Sequence, residues 1–142
     1  MSDPALDDIR LPITTEQDIV LARSQARELA KRLGFGLVDQ SRITTAVSEL
    51  TRNVVRYATD GQGVVLFRPL VGDASAEGIE IVVSDDGPGI ADLDEAMREG
   101  FTSGPGLGMG LPGTRRLMDE MQIDSALGRG TIVTIRKWLR RR

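Results

Sequence analysis

The sequence predicts an α/β fold: a two-layer α/β sandwich whose mixed, mostly antiparallel sheet carries its helices on one face. Three observations predict it. A chain of 142 residues has room for one domain, spanning 1–142, that buries about 70% of its unfolded surface. Its apolar residues recur at helical spacing in three segments, while five others have strand-like composition bounded by turn residues. The resulting order is strand, helix, helix, strand, strand, loop, helix, strand, strand, which a layer of helices on one sheet face accommodates.

After an acidic lead, MSDPALDD, with residues 1–8 expected to be flexible, Ile9 to Ile13 reads as a short edge strand. Thr14 and Thr15 ahead of Glu16 and Gln17 offer N-caps to a first helix. Ile19, Ala22, Ala26 and Leu29 are its apolar face, and Gly34 ends it. A second helix runs from near Asp39 to about Ala58, with Ile43, Val47, Leu50 and Val54 as one stripe; Asp60-Gly61 is a turn signal. Gly63 to Leu70 and Gly78 to Ser84 read as strands joined by the polar loop VGDASAEG. Between Asp85 and Gly113 lie Gly87, Gly89, Gly100, Gly104, Gly106, Gly108, Gly110 and Gly113, eight of the chain's 16 glycines. Helical spacing returns over Leu111 to Met121, through Leu117. Gln122 to Leu127 and Thr131 to Trp138 then form a final antiparallel pair across Gly128-Arg129-Gly130.

Composition narrows the chemistry. There is no histidine and no cysteine, so these residues supply no imidazole acid, base or phospho-acceptor, no common zinc site, no thiol nucleophile and no disulfide. With 18 basic against 21 acidic residues, net charge -3, no electrostatic drive toward nucleic acid or a membrane surface is expected. The basic segment RKWLRRR reads as a solvated end or as a docking patch for an acidic partner. The start lacks a basic and then apolar leader, and no apolar run approaches about 18 residues, so a cytoplasmic protein is expected.

Three segments could carry chemistry. Glu49 and Asn53 stand one turn apart on the second helix, on one flank of its apolar stripe. There a carboxylate can accept a proton and an amide oxygen can ligate a hard cation; a solvated polar pair has the same spacing. SDDGPGI places Asp85 at a strand end beside Gly87 and Gly89. Such a carboxylate can accept from an exocyclic amine while the glycines leave a flat base clearance; a tight turn with a solvated Asp is the alternative. GPGLGMGLPG opens a helix and offers backbone N–H groups to phosphate. Its G-x-G-x-x-G does not follow a strand, which excludes a dinucleotide fingerprint, and neither Lys31 nor Lys137 follows a glycine-rich loop as a Walker A motif requires.

In that order within one small α/β domain, ELTRNVVRYA, DDGPG and GLGMGLPG resemble the N-box and the two glycine boxes of the GHKL ATPase/kinase superfamily, whose ATP site is the Bergerat fold. The resemblance spans about Thr14 to Leu139. KRLGFGLVDQSRITTAVSELTRN, DDGPGI, GLGMGLPGTRRLMDE and the terminal KWLR are most similar to the small switch serine/threonine kinases of bacterial stress-response partner-switching modules. The resemblance implies ATP and Mg²⁺ as cofactors. It assigns the general base to Glu49, Mg²⁺ ligation to Asn53 and adenine recognition to Asp85 with Gly87 and Gly89. It further assigns phosphate wrapping to Gly106, Gly108 and Gly110, support of adenine recognition to Thr131, and nucleotide-facing positions to Arg56 and Tyr57.

With no histidine in the chain, the phosphoryl group is expected to pass to a serine or threonine of another protein. The resemblance implies STAS-domain antagonist and scaffold proteins as substrates and the phosphatase of the same switch as a partner. An anti-sigma factor kinase that sequesters a sigma factor, or a non-catalytic nucleotide-binding module, are the alternatives.

Overall fold

The computed structural model describes residues 7–57, 62–72, 76–87, 110–126 and 130–139. In chain order these form β1 (Ile9–Ile13), α1 (Glu16–Leu33), α2 (Leu37–Tyr57), β2 (Gly63–Val71), β3 (Ala76–Asp85), α3 (Gly110–Leu117), β4 (Glu120–Ala126) and β5 (Gly130–Trp138). Among the described residues the strands make one five-stranded sheet in the order β1-β2-β3-β5-β4. The expected two-layer sandwich forms, with β1 at an edge, but all four pairings are antiparallel rather than mixed. The reason is topological: β3 and β4 run in the same direction, and β5 returns between them, antiparallel to both.

Local chemistry explains the helix ends. Thr15 caps α1 by accepting the Asp18 N–H at 3.2 Å, while Asp18 Oδ2 accepts the Thr15 N–H at 3.1 Å and the Thr14 N–H at 2.8 Å. This reciprocal box satisfies donors that the first turn leaves over, and the Thr14 N–H above all holds the Asp18 carboxyl below its usual range. At the other end the Phe35 N–H reaches Ala30 O at 3.0 Å and the Gly34 N–H reaches Lys31 O at 3.1 Å, the two bonds of a Schellman stop.

Side chains alternate between the faces of a strand, so one face of the sheet is apolar. Val65 and Phe67 of β2, Ile79, Ile81 and Val83 of β3, and Val133 and Ile135 of β5 are buried there. They form one cluster with Ala22, Ala26 and Leu29 of α1 and Ile43, Val47, Leu50 and Val54 of α2, and Ile19 of α1 is buried as well. The other face carries a row of charge. Arg68, Glu80, Arg136 and Glu120 stand opposite one another across β2, β3, β5 and β4, joined at 3.1, 2.7 and 3.3 Å, and Asp8 extends the row to Arg68 at 3.1 Å. Arg136 is thus engaged within the sheet; Arg140 to Arg142 lie outside the described residues. Among the described residues no helix is long and apolar enough to cross a membrane.

One expected element is shorter than its periodicity. The third helix ends at Leu117, and Met121, expected to be helical, is in β4 opposite Ile135. A spacing of four satisfies both a helix turn and two strand repeats; β5 decides between them. The Asp119 N–H bonds Arg136 O at 3.0 Å and Asp119 Oδ2 accepts the Trp138 N–H at 2.8 Å, drawing the chain into the sheet. Lys137, only 4% exposed, donates from Nζ to Leu117 O at 2.9 Å, with Asp119 and Asp39 carboxylates at 3.7 and 3.8 Å. It therefore ties the end of α3 to β5 and to the first turn of α2.

Candidate functional site

Helix α2 buries an unusual set of polar side chains. Three hydroxyls are satisfied within the helix: Thr44 donates to Gln40 O at 2.6 Å, Ser48 to Thr44 O at 2.9 Å and Thr51 to Val47 O at 2.7 Å, the back-bonding that lets such residues sit in a helix. Glu49 and Asn53 are different. Glu49 Oε1 accepts from Arg52 Nη1 at 2.8 Å, but Glu49 Oε2 and Asn53 Oδ1 are buried with no hydrogen-bond partner. An unpaired buried oxygen costs about 1–3 kcal/mol. Two of them stand a turn apart on one flank, an arrangement that can accept a proton or ligate a hard cation.

The strand-end half of the site lies at one edge of the apolar face. Gly63, Asp85, Thr131 and Ser125 stand side by side across β2, β3, β5 and β4, on the same face as Val65, Val83 and Val133. A Cβ on Gly63 would meet Ser84 O at 2.5 Å and Val54 Cγ1 at 2.6 Å. The missing side chain lets Val54, next to Asn53, press onto the residue paired with Asp85, and so brings the end of α2 to the end of β3. Gly130 performs a similar service from β5: its φ is 81° and a Cβ there would lie 2.0 Å from Asp85 O.

Asp85 Oδ1 accepts the Gly87 N–H at 2.7 Å. Burial pushes its carboxyl above the usual range; the Gly87 N–H opposes this, the neighbouring Asp86 charge adds to it, and the Thr131 N–H again opposes. A half-buried carboxylate, an acceptor with more than one lone pair on each oxygen, is suited to an amine. Beside it, Ser125 donates to Gly130 O at 3.0 Å and shares a 2.8 Å hydroxyl contact with Thr131. With the Ser125 proton so directed, Thr131 donates to Ser125 and keeps its lone pairs as acceptors.

Glu49 and Asn53 are thus brought together on α2, and Asp85, Gly87 and Thr131 at the adjoining strand ends. Arg56 is exposed in the last turn of α2 and Tyr57 ends that helix. Gly110 opens α3; Gly89, Gly106 and Gly108 lie outside the described residues. Two contributors were missed in the sequence. Arg52 carried a signal, since it stands three residues after Glu49, a contact spacing in any helix. Ser125 carried none, because its place beside Thr131 exists only once the β4–β5 register is set.

The family of histidine kinase-like ATPase domains matches residues 11–137. The serine/threonine-protein kinase RsbT of Bacillus subtilis (strain 168) is 51% identical over 128 residues, covering 90% of this chain and 94% of that protein. The anti-sigma F factor of Caldanaerobacter subterraneus subsp. tengcongensis is 31% identical over 133 residues, covering 91% of each. Among solved structures, that of the RsbU and RsbW domains of a Mycobacterium tuberculosis protein is similar with a TM-score of 0.63 at 23% identity. The match covers 95% of this chain and 33% of that one, so this chain spans about a third of the longer polypeptide. The mycobacterial sensor histidine kinase MprB is similar with a TM-score of 0.56 at 20% identity, over 93% of this chain and 96% of that one. Both structural likenesses concern the fold.

Proposed function

The chain belongs to the family of histidine kinase-like ATPase domains, and from that premise we infer that it is an ATP-dependent protein serine/threonine kinase of a partner-switching pathway. Its substrates are STAS-domain antagonist and scaffold proteins, and once released from them it binds and activates a partner phosphatase. The observation that carries the reading is the pair of buried, unpartnered oxygens, Glu49 Oε2 and Asn53 Oδ1, one turn apart on α2.

The donor set fits Mg·ATP. Among the described residues no cluster of three or more acidic side chains is placed to cage a metal. Mg²⁺ commonly takes one or two protein oxygens and completes its shell with nucleotide phosphates and water; Asn53 Oδ1 is such an oxygen. Asp85, half-buried at the end of β3, receives the adenine amine, with Thr131 beside it and Gly87 leaving clearance. Arg56, Tyr57, Gly89, Gly106, Gly108 and Gly110 complete the nucleotide site. Bound Mg·ATP supplies the transferable phosphoryl group and neutralises charge as it moves. Glu49 acts on the acceptor: its Oε2 takes the proton of the partner's serine or threonine hydroxyl as that oxygen bonds to phosphorus, and ADP departs. The buried setting keeps water from competing for the phosphoryl group.

RsbT's 51% identity, against 31% for the anti-sigma F factor, favours the switch kinase over an anti-sigma factor. The test is phosphoryl transfer from Mg·ATP to a STAS-domain protein of the same organism, read by intact mass. The native chain is expected to add one phosphate per acceptor and Glu49→Gln to do so about 10²- to 10⁴-fold more slowly while still binding nucleotide. Transfer by Glu49→Gln at the native rate would overturn the assignment of the base, and the absence of any acceptor-dependent ADP formation by the native chain would leave a nucleotide-binding module.

A further inference from the structure

We propose that Arg52 is a positioning residue for phosphoryl transfer, one that sorts the two oxygens of Glu49 and keeps that carboxylate out of metal ligation; this rests on the reading of Glu49 as the proton acceptor. In solution the two oxygens of a carboxylate are equivalent. Here they are not: Arg52 Nη1 holds Oε1 at 2.8 Å, and Oε2 is left buried and unpartnered.

Helical geometry makes the arrangement one-sided. At 3.6 residues per turn, Asn53 projects about 40° to one side of Glu49 and Arg52 about 60° to the other. The guanidinium therefore grips the carboxylate from the flank away from Asn53 and leaves the space between Oε2 and Asn53 Oδ1 open. The Glu49 side chain is 11% exposed and that of Arg52 28%. The pair thus sits mostly out of water, where a charge-assisted bond fixes a rotamer more firmly than at an exposed surface.

Two consequences follow for the reaction. With Oε1 occupied, Glu49 cannot grip a divalent cation with both oxygens, so the metal stays with Asn53 and the carboxylate stays available for a proton. With the rotamer fixed, Oε2 waits where the acceptor hydroxyl must arrive, and orientation of this kind carries a large share of a transfer reaction. Lysine at this position keeps the charge but not the planar fork.

The experiment is a double-mutant cycle on the full chain, with Mg·ATP and a STAS-domain protein of the same organism as acceptor. Arg52→Ala is expected to lower kcat by about 10- to 100-fold, less than the full range a general base supplies, with the Mg·ATP dissociation constant and the acceptor KM unchanged. Arg52→Lys recovers part of the loss. In the Glu49→Gln background, Arg52→Ala costs nothing further, because its effect passes through that carboxylate. An undiminished kcat in Arg52→Ala, a parallel loss of Mg·ATP affinity, or an equal loss in the Glu49→Gln background would each overturn the proposal. Glu49→Gln alone at native rate would instead remove the reading on which it rests. A melting midpoint for Arg52→Ala close to that of the native chain separates a loss of positioning from a loss of fold.

Discussion

Glu49 Oε2 and Asn53 Oδ1 are two buried oxygens without hydrogen-bond partners, one turn apart on a helix whose buried hydroxyls are satisfied. A folded chain tolerates such a cost where a ligand relieves it.

The first expected outcome is thermal. Mg·ATP at about 100 times its dissociation constant should stabilise the native chain by about 2.7 kcal/mol, roughly 5–10 °C in midpoint for a domain of this size. In Asn53→Ala the magnesium-dependent part of that rise disappears. The nucleotide-free midpoint stays level or rises, because the deleted oxygen has no bond to lose. Differential scanning fluorimetry with and without Mg²⁺ checks both, and an undiminished shift in the variant would remove Asn53 from the metal site.

Asp85 separates stability from binding. Its native pKa lies above the ordinary 3.8 because of burial. The contribution of this carboxyl is therefore fully present below the unfolded value and lost as pH rises through the raised native value. At about pH 7 the folded chain carries a charge that its surroundings disfavour. Asp85→Asn should melt at the same temperature or higher at neutral pH, with the difference shrinking toward about pH 4. It should bind ATP about 10- to 100-fold more weakly and discriminate less against GTP. Calorimetry at the two pH values and a nucleotide titration decide it; a lower neutral midpoint would contradict the sign.

Lys137 predicts a structural cost at a distance from Asp85. Lys137→Met leaves Leu117 O without its donor and removes the cation beside Asp39 and Asp119. A loss of about 1–3 kcal/mol is expected, read as a lower urea midpoint with an unchanged slope.

Gly63→Ala tests the seating of α2. Its Cβ would meet Ser84 O at 2.5 Å and Val54 Cγ1 at 2.6 Å. The substitution should cost about 1–3 kcal/mol, and by lifting the end of α2 it should weaken Mg·ATP binding. Equilibrium unfolding and isothermal titration measure the two effects; full stability with full affinity would show that α2 can yield there freely.

Much of the fold was legible because local signals agreed with one another. The Thr15 cap, the α1 and α2 stripes and the strand end at Asp85 all read correctly from nearby residues. Met121 did not, since its spacing from Leu117 fits helix and strand alike and only pairing with β5 resolves it. The candidate site divides the same way. Glu49 with Asn53, and Asp85 with Gly87, are neighbours in sequence and could be picked out by spacing. Their approach to one another depends on a missing Cβ at Gly63, and the Ser125–Thr131 contact depends on register. Neither is written in any window of the sequence.

The charged row on the open side of the sheet answers a problem that the apolar side leaves unsolved. Val83, Ile81 and Ile79 repeat every second residue, so sliding β5 by two positions along β3 would still place hydrophobic side chains under the helices. Glu80 would then face Thr134 or Trp138 instead of Arg136, and its buried carboxylate would lose its 2.7 Å partner. The row thus works as a key: it distinguishes alignments that greasy side chains treat as equal, and with them the one alignment that sets Thr131 beside Asp85.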